Sequence, residues 1–218
     1  MRPYLAIADF PPVLAVFPLT GALLLPRGQL PLNIFEPRYL TMIDDAMSGS
    51  RLIGMIQMRE AENVALKPRL SAVGCTGRIT SYVETDDGRY LVTLTGICRF
   101  RVAEELAVPT PFRQVRPDYA PFSGDLVAMP ESDFPRERLL DALRQYLSQR
   151  DLKADWRSVM SAPAETLVNA LAMLCPFEPA EKQALLEART IPDQAAMLLT
   201  LLRMGSIGPD AQGGRALS

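Results

Sequence analysis

Residues 30–39 read LPLNIFEPRY, and this stretch decides the fold of the chain around it. Its first apolar residues alternate as they do on one face of a β-strand: Leu30, Leu32 and Ile34. Pro37 suits the first turn of a helix, where backbone N–H groups have no partner within the helix. Gly49 lies where such a helix would end. The stretch therefore predicts a strand, a corner at Phe35, whose side chain belongs either to the core or to a binding site, and a helix that runs to about Ser48.

The chain after this helix has the two-residue period of β-strands. Residues 51–58 are apolar on both faces, which predicts a strand covered on both sides. A hairpin is predicted around residues 86–88 (DDG), because Asp-Gly tolerates the positive φ of a tight turn. Gly96 in the return strand predicts a bulge or a barrel corner. With one more strand at 112–119, this part of the chain predicts a small β-barrel with one embedded helix.

Side chains of the predicted hairpin divide between two faces. The inward face of its first strand is predicted to hold Val73, Cys75, Ile79 and Val83. An arginine stripe on the outer face is one interpretation of Arg78, Arg99 and Arg101, and an ordinary solvated face is the other. The methionines Met42, Met47, Met55 and Met58 fit core packing and also an adaptable apolar groove.

After residue 134 the apolar period changes to 3.6, which predicts helices. They are expected at about 135–149, 167–175, 179–186 and 190–202, with a short turn near Trp156. The last of these starts with Thr190 and Asp193, a pair that resembles a capping box. The predicted class is α+β, with a β domain at 1–120, a helical bundle at 121–205 and a flexible tail at 206–218.

Composition restricts the classes of function. The net charge is −2 and the sequence pI is about 5.3, so a nucleic-acid partner is disfavoured. Three cysteines without a C-x-x-C spacing indicate reduced thiols and a cytoplasmic location: Cys75, Cys98 and Cys175. No apolar run approaches the length of a membrane span, so no membrane partner is expected.

The sequence offers little catalytic chemistry. It contains no histidine, which excludes Ser–His, Cys–His and histidine-ligated metal mechanisms. Neither G-x-x-x-x-G-K-[ST] nor a helix-opening G-x-G-x-x-G occurs. A Ser–Lys pair would need Lys67, Lys153 or Lys182, which are expected in a loop or near exposed helical faces. We therefore expect no catalytic residue, no cofactor and no metal.

Several sequence blocks, in a fixed order, resemble one known family. They are residues 17–19 (FPL), 25–28 (LPRG), 30–39, 73–75 (VGC), 87–89 (DGR) and 96–102 (GICRFRV). Together they resemble the LON substrate-binding domain, the amino-terminal domain of the ATP-dependent Lon protease, over residues of about 13 to 203. The match is best to small bacterial stand-alone LON-domain proteins.

This resemblance implies a PUA-like β pseudo-barrel followed by a C-terminal helical bundle. It also implies a non-catalytic protein that recognises unfolded or exposed polypeptide segments, as an adaptor or a protein quality-control factor. A Lon-type protease is a further implied partner. In full-length Lon an ATPase module and a Ser–Lys peptidase domain follow this region, and we expect both to be missing here because the sequence ends at Ser218.

The candidate polypeptide-binding residues are expected where the barrel meets the bundle: Phe35, Glu36, Arg38, Tyr39, Arg99 and Arg101. For Glu36 and Arg38 a purely local role stays open, with Glu36 near a helix N-terminus and Arg38 as its ionic partner. Two other functions also stay open. One is a cofactor-independent hydrolase that uses carboxylates or Lys67, and the other is a PUA-like RNA-binding module, which the acidic pI disfavours.

Overall fold

The computed structural model describes residues 6–59, 68–127 and 135–206. Within them, strands β1 to β6 span Leu14–Pro18, Gln29–Ile34, Leu52–Met58, Leu70–Glu84, Tyr90–Glu105 and Arg113–Asp118. Helices α1 to α6 span Pro37–Ser48, Arg136–Gln149, Trp156–Ser161, Ala164–Leu174, Pro179–Glu187 and Ile191–Ser206. Short 3₁₀ helices span Ile7–Asp9 and Ala120–Leu126. The fold class is α+β, as the sequence predicts.

Five of the strands close into a barrel because β5 is long enough to pair with three neighbours. Strand β4 pairs along β5, while β2 pairs with its first half and β6 with its second half. Strand β6 pairs in turn with β1, which runs parallel to β3, and β3 pairs with β4. The circuit β1-β3-β4-β5-β6 thus returns to its start, and β2 is attached beside it. This confirms the predicted β pseudo-barrel.

Gly96 lies at a bulge in β5, as the sequence predicts. The pairing register with β4 shifts there, because Ile97 is an extra residue in β5. The backbone of Gly96 donates a hydrogen bond to Gly28 O and accepts one from Arg27 N–H, at 2.9 and 2.8 Å. A Cβ atom at Gly96 would overlap the carbonyl oxygen of Leu25. Only glycine therefore allows the segment before β2 to lie this close to β5.

The stretch at 30–39 forms the predicted strand and helix. Strand β2 ends at Ile34, and α1 has Pro37 in its first turn and Gly49 as its C-terminal cap. The side chain of Phe35 is 63% exposed, so of the two alternatives for this residue the structure excludes the core position. The alternation of β2 continues past its end, so that Ile34 points into the core and Phe35 points out.

The four methionines and three cysteines named in the sequence analysis are buried or half-buried. Met42 and Met55 are buried, and Met47 and Met58 are half-buried, which favours the core-packing interpretation. The three cysteines are free thiols, and all three are buried. At the barrel centre the fully buried Phe100 ring lies against the backbone of the neighbouring strands at Gly54 and Gly74. The buried methionines, Cys75, Cys98 and Phe100 therefore stabilise the barrel and α1, whereas Cys175 lies at the end of α4.

The chain divides into two compact units. The first, here called the barrel unit, consists of the described residues of Met1–Ala128 together with Glu178–Glu187. The second, the helical unit, consists of the described residues of Met129–Phe177 and Ala188–Ser218. The predicted tail at 206–218 lies outside the described residues except for Ser206.

Helix α5 belongs to the barrel unit, although its sequence pattern groups it with the other helices. Lys182 donates a hydrogen bond from Nζ to Gly21 O at 2.9 Å. Gln183 donates one to Val73 O at 3.1 Å, and Gln57 donates one to Pro179 O at 3.1 Å. These hydrogen bonds attach α5 to the barrel, and an apolar period does not encode such polar contacts.

The helical unit consists of α2, α3, α4 and α6. Helix α6 packs against both α2 and α4, and buries Leu198 and Leu202 completely. The predicted capping box at its start is confirmed. The backbone and hydroxyl groups of Thr190 both donate to Asp193 Oδ2, and Asp193 N–H donates back to Thr190 Oγ1.

Candidate functional site

An exposed row of side chains crosses three neighbouring strands near the end of β2. Val83 pairs with Leu91, and Leu91 pairs on its other side with Asn33. Val83 is 53% exposed and Leu91 46%, and Asn33 is exposed as well. Phe35 follows Asn33 two residues later, at the next outward position. We call these four residues, Asn33, Phe35, Val83 and Leu91, the corner surface.

The corner surface is notable because its apolar members are neighbours. Single exposed apolar side chains are common on soluble proteins, whereas adjacent ones mark interaction sites more often. Val83 and Leu91 form a cross-strand pair in the part of the β4–β5 hairpin that extends beyond β3, and β2 pairs with Leu91 on its other side, so backbone hydrogen bonds fix their positions. Phe35 lies between β2 and α1, which hold it from both sides. The corner is therefore a rigid apolar surface.

Two charged side chains border this surface. Arg38 contacts Glu36 Oε2 through Nε at 2.9 Å and through Nη2 at 2.7 Å. Both side chains are about half exposed, at 54% and 44%, so the pair contributes little to stability. The guanidinium also lies 4.6 Å from the centre of the Tyr39 ring. The structure therefore contains the local ion pair that the sequence left open for Glu36 and Arg38.

Tyr39 is a core residue in the structure. It is 6% exposed, and its ring centre lies 4.3 Å from that of Phe17 in β1. Burial raises the pKa of its hydroxyl, and the Arg38 charge opposes that rise. Tyr39 therefore fixes α1 against the barrel, while Phe35, Glu36 and Arg38 remain accessible.

Arg99 is also buried, which corrects the interpretation of an outer arginine stripe. It is 7% exposed and pairs with Asp125, and its Nη1 donates to Leu186 O at 3.1 Å. The alternation of β5 correctly predicts that Arg99 and Arg101 share a face, but the 3₁₀ helix Ala120–Leu126 covers Arg99. Arg101 is exposed and pairs in register with Val73 and Asp118.

The two predicted groups of site residues lie at opposite ends of β5. Leu91, at the corner surface, is next to the first residue of the strand, and Arg101 is near its last. Ten residues of β-strand span about 33 Å, so one short peptide segment of a few residues does not reach both. The structure thus brings Phe35, Glu36 and Arg38 together and separates Arg99 and Arg101 from them.

Sequence reasoning missed Val83 and Leu91 as surface residues. The simple alternation places Val83 on the inner face with Ile79. The β4–β5 register shifts between Ile79 and Ser81, so Thr80 is an extra residue. A one-residue shift exchanges the two faces of a strand, and Val83 consequently points outward.

The free edge of β2 is a second feature of this region. In the part of the chain that the structure describes, β2 pairs with β5 only. Gly96 N–H donates to Gly28 O, so Gly28 is a residue whose backbone faces β5. Hydrogen-bonded and non-hydrogen-bonded pairs alternate along antiparallel strands, so the backbone groups of Gln29, Pro31 and Asn33 point away from β5. Pro31 has no N–H to offer there, which weakens this edge as a template for another strand. The side chains of the corner surface are therefore better suited to recognition than the backbone edge.

Among the described residues, the titratable groups with shifted pKa values all move away from neutrality. Burial raises the pKa of Cys98 to about 12 and that of Cys75 well above its usual value. Hydrogen bonds with Asp44 and Tyr82 raise the pKa of Tyr90. The pKa values of Tyr39 and Arg99 are also raised, and hydrogen bonds from Thr85 and Ser158 lower those of Asp87 and Asp155, so these shifts lead away from neutrality as well. A general acid or base needs a pKa near the operating pH, and none of these shifts produces one.

The lysines that a Ser–Lys pair would need differ in their surroundings. Lys153 is exposed, and Lys182 is bonded to the backbone of the barrel unit. Lys67, the lysine of the hydrolase alternative, lies outside the described residues. Among residues 6–59, 68–127 and 135–206, no three Cys, Asp or Glu side chains are placed to hold a metal ion. In the same ranges, no helix has the length and hydrophobicity needed to cross a bilayer.

Proteins of similar sequence are Lon proteases. The chain is 31% identical over 111 residues to "Lon protease 2" of Myxococcus xanthus, which covers 50% of this chain and 13% of that protein. It is 27% identical over 204 residues to "Lon protease 2" of Sorangium cellulosum, which covers 89% of this chain and 24% of that protein. The chain therefore spans at most about a quarter of the length of these relatives.

Solved structures show the same fold. A Lon N-terminal domain protein from Xanthomonas campestris matches with a TM-score of 0.61 at 23% identity, over 86% of this chain and 97% of that one. The N-terminal domain of a Mycobacterium avium complex Lon protease matches with a TM-score of 0.58 at 16% identity, over 87% and 97%. A family model, the substrate-binding domain of the ATP-dependent protease La (LON), matches residues 13–204. The chain thus belongs to the LON substrate-binding domain family.

Proposed function

We propose that this chain recognises exposed segments of other polypeptides without cleaving them, and that the corner surface makes the contact. The observation that carries the proposal is the apolar group Phe35, Val83 and Leu91, held on one face beside the exposed Glu36–Arg38 pair. Membership in a substrate-binding domain family supports it. Unfolded segments expose apolar side chains, and burying them against a rigid apolar surface is favourable.

The chemistry of the corner favours broad recognition. Glu36 and Arg38 neutralise each other, so a client does not have to match an unpaired charge. Phe35 supplies a large aromatic side chain, a type that often dominates binding energy, and the aliphatic pair beside it adds area. A protein that binds many different segments does not need a deep pocket that selects one sequence. We therefore propose unfolded or exposed segments as a class, rather than one motif, as the partner.

Binding to an array of peptides from unfolded model proteins tests this proposal. Phe35→Ser and Leu91→Ser should each weaken binding of apolar peptides at least about tenfold, because each removes a central contact. The matched control is Met204→Ser in the helical unit, because Met204 is 62% exposed and Phe35 is 63%. The proposal fails if the wild-type chain binds no peptide, or if all three variants bind alike.

We further propose a cytoplasmic adaptor or quality-control role, with a Lon-type protease as one physical partner. The family membership supports the protease connection, and the three free, buried thiols fit a reducing compartment. Co-purification from cells, with the wild-type chain and Phe35→Ser as bait, tests both parts. Clients should be lost from the variant, while a protease that binds elsewhere should be retained. Hydrolysis of casein by the pure chain would overturn the non-catalytic part.

A further inference from the structure

The helical unit contains a half-enclosed apolar cavity of about 580 Å³. Its walls come from α2, from the connection between α2 and α3, and from α3 and α4. Its apolar lining includes Leu147, Leu152, Leu167, Ala170 and Leu174. Protein interiors are normally packed to crystal density, with few voids larger than a water molecule. This cavity is open on one side, and clefts of several hundred Å³ lined mostly by apolar side chains are typical of small-molecule sites.

Apolar side chains at the mouth of the cavity are unusually exposed. Leu174, the last residue of α4, is 81% exposed, and Leu152 is 43% exposed. Both also line the cavity, so they surround an opening rather than standing alone on a convex surface. An occupant that filled the cavity would remove this apolar surface from water.

Two charged side chains line the cavity, Lys153 and Asp155. Lys153 is exposed, and no hydrogen-bond or ionic partner of it is found among the described residues. Asp155 lines the cavity too, but its carboxylate caps α3. It accepts from Ser158 Oγ at 2.6 Å and from the N–H groups of Arg157 and Ser158 at 3.0 and 3.4 Å. The ammonium group is thus the one that remains to pair with a ligand.

A second cavity of about 610 Å³ shares Leu152 and Lys153 with the first. It adds Arg144 and Trp156, and the Arg144 guanidinium lies 5.1 Å from the centre of the Trp156 ring. Arg144 also pairs with Asp141 at the surface. With Arg144 paired, Lys153 is the cation that borders both cavities, and it favours an anionic group at this position.

We propose that the cavity binds a small amphiphile, a single hydrocarbon chain of about a dozen carbons that ends in an anionic group. An apolar cavity of about 150 Å³ is large enough for benzene, so about 580 Å³ accommodates such a chain even though one side is open. The chain packs between α2 and α4, and the anionic group lies beside Lys153. This site is independent of the corner surface.

Calorimetric titration of the full chain with octanoate, decanoate and dodecanoate, each below its micelle concentration, tests the proposal. Each buried CH₂ should strengthen binding about fourfold until the cavity is full. Dodecyltrimethylammonium, with the same chain and the opposite charge, should bind more weakly than dodecanoate. Absence of dodecanoate binding, or equal affinity for both head groups, would overturn the proposal.

Two variants with matched controls locate the site. Ala170→Phe fills the cavity and should weaken dodecanoate binding more than about tenfold, whereas Ala196→Phe on the exposed face of α6 should not. Lys153→Met should weaken dodecanoate about threefold and leave dodecanol unchanged, with Arg203→Met as the control. Circular dichroism verifies that each variant is folded, and Lys153→Met tests the site even if Ala170→Phe does not fold. Binding that is the same in Ala170→Phe and Ala196→Phe would place the ligand elsewhere and refute the assignment.

Discussion

Arg99 and Asp125 form a bidentate ion pair inside the barrel unit. Arg99 Nε lies 2.9 Å from Asp125 Oδ2, and Nη2 lies 2.7 Å from Oδ1. The backbone N–H of Arg99 donates to the same carboxylate at 2.9 Å, and Nη1 donates to Leu186 O. Desolvation acts to lower the pKa of Arg99, but the hydrogen bonds and charge of Asp125 outweigh it and hold this pKa above its ordinary value. One buried side chain therefore joins β5, the 3₁₀ helix and α5.

Asp125→Ala should lower the free energy of unfolding of the barrel unit by about 3–5 kcal/mol, because it leaves a buried guanidinium without its counter-ion. Urea unfolding followed by circular dichroism measures the loss. Asp141→Ala is the matched control, because its pair with Arg144 is exposed and should contribute less than about 1 kcal/mol. The double variant Arg99→Met/Asp125→Leu should recover much of the loss. Equal, small losses in the two single variants would mean that the buried pair does not stabilise the unit.

Phe35→Ala and Tyr39→Ala should separate binding from stability within the same stretch. Phe35 is exposed, so its replacement should change the free energy of unfolding by less than about 0.5 kcal/mol. Tyr39 is buried against Phe17, so its replacement should cost about 3–5 kcal/mol. Chemical denaturation of both variants provides the comparison. A loss of several kcal/mol for Phe35→Ala would restore Phe35 to the core and remove it from the corner surface.

Local signals predicted the stretch at 30–39 well. Pro37 and Gly49 fix the two ends of α1 through backbone chemistry that needs no distant partner. The direction of Phe35 was not predictable in the same way, because the sequence does not show at which residue β2 ends. Its exposure follows from the continued alternation of β2, which becomes clear only once the last strand residue is known.

Non-local features account for most of what the sequence did not predict. The partner of Arg99 lies 26 residues away in a turn-rich segment, and no spacing rule connects the two. The extra residue Thr80 exchanges the faces of β4, which moved Val83 from the predicted core to the corner surface. Closure of the barrel likewise depends on which half of β5 each neighbour uses, and strand patterns do not encode this.

Gly96→Ala should destabilise the barrel unit by about 1–3 kcal/mol, since its new Cβ must displace the backbone at Leu25. Gly124→Ala is the control, because a Cβ atom there meets nothing within 4 Å and the effect should stay within about 0.5 kcal/mol. Hydrogen exchange of the β5 amides, compared between the two variants, measures the difference. If Gly96→Ala exchanged as slowly as Gly124→Ala, the close approach of the segment before β2 to β5 would be incorrect.

The stability of the barrel unit should fall at alkaline pH in a way that depends on Cys98. Burial, followed by the Asp125 charge, raises the pKa of this thiol to about 12, whereas an unfolded cysteine titrates near 8.5. The folded state therefore binds the Cys98 proton more tightly than the unfolded state does. The contribution of this thiol to the free energy of unfolding is fully present below about pH 8.5 and is lost as the pH rises toward 12. Between pH 8 and 10 the loss from one such thiol is about 2 kcal/mol. Cys98→Ala should accordingly lose about 2 kcal/mol less than the wild type over that interval, while urea-unfolding profiles of the two proteins should run parallel between pH 6 and 7. Parallel profiles up to pH 10 would show that the Cys98 thiol is ionised as readily in the folded chain as in the unfolded one.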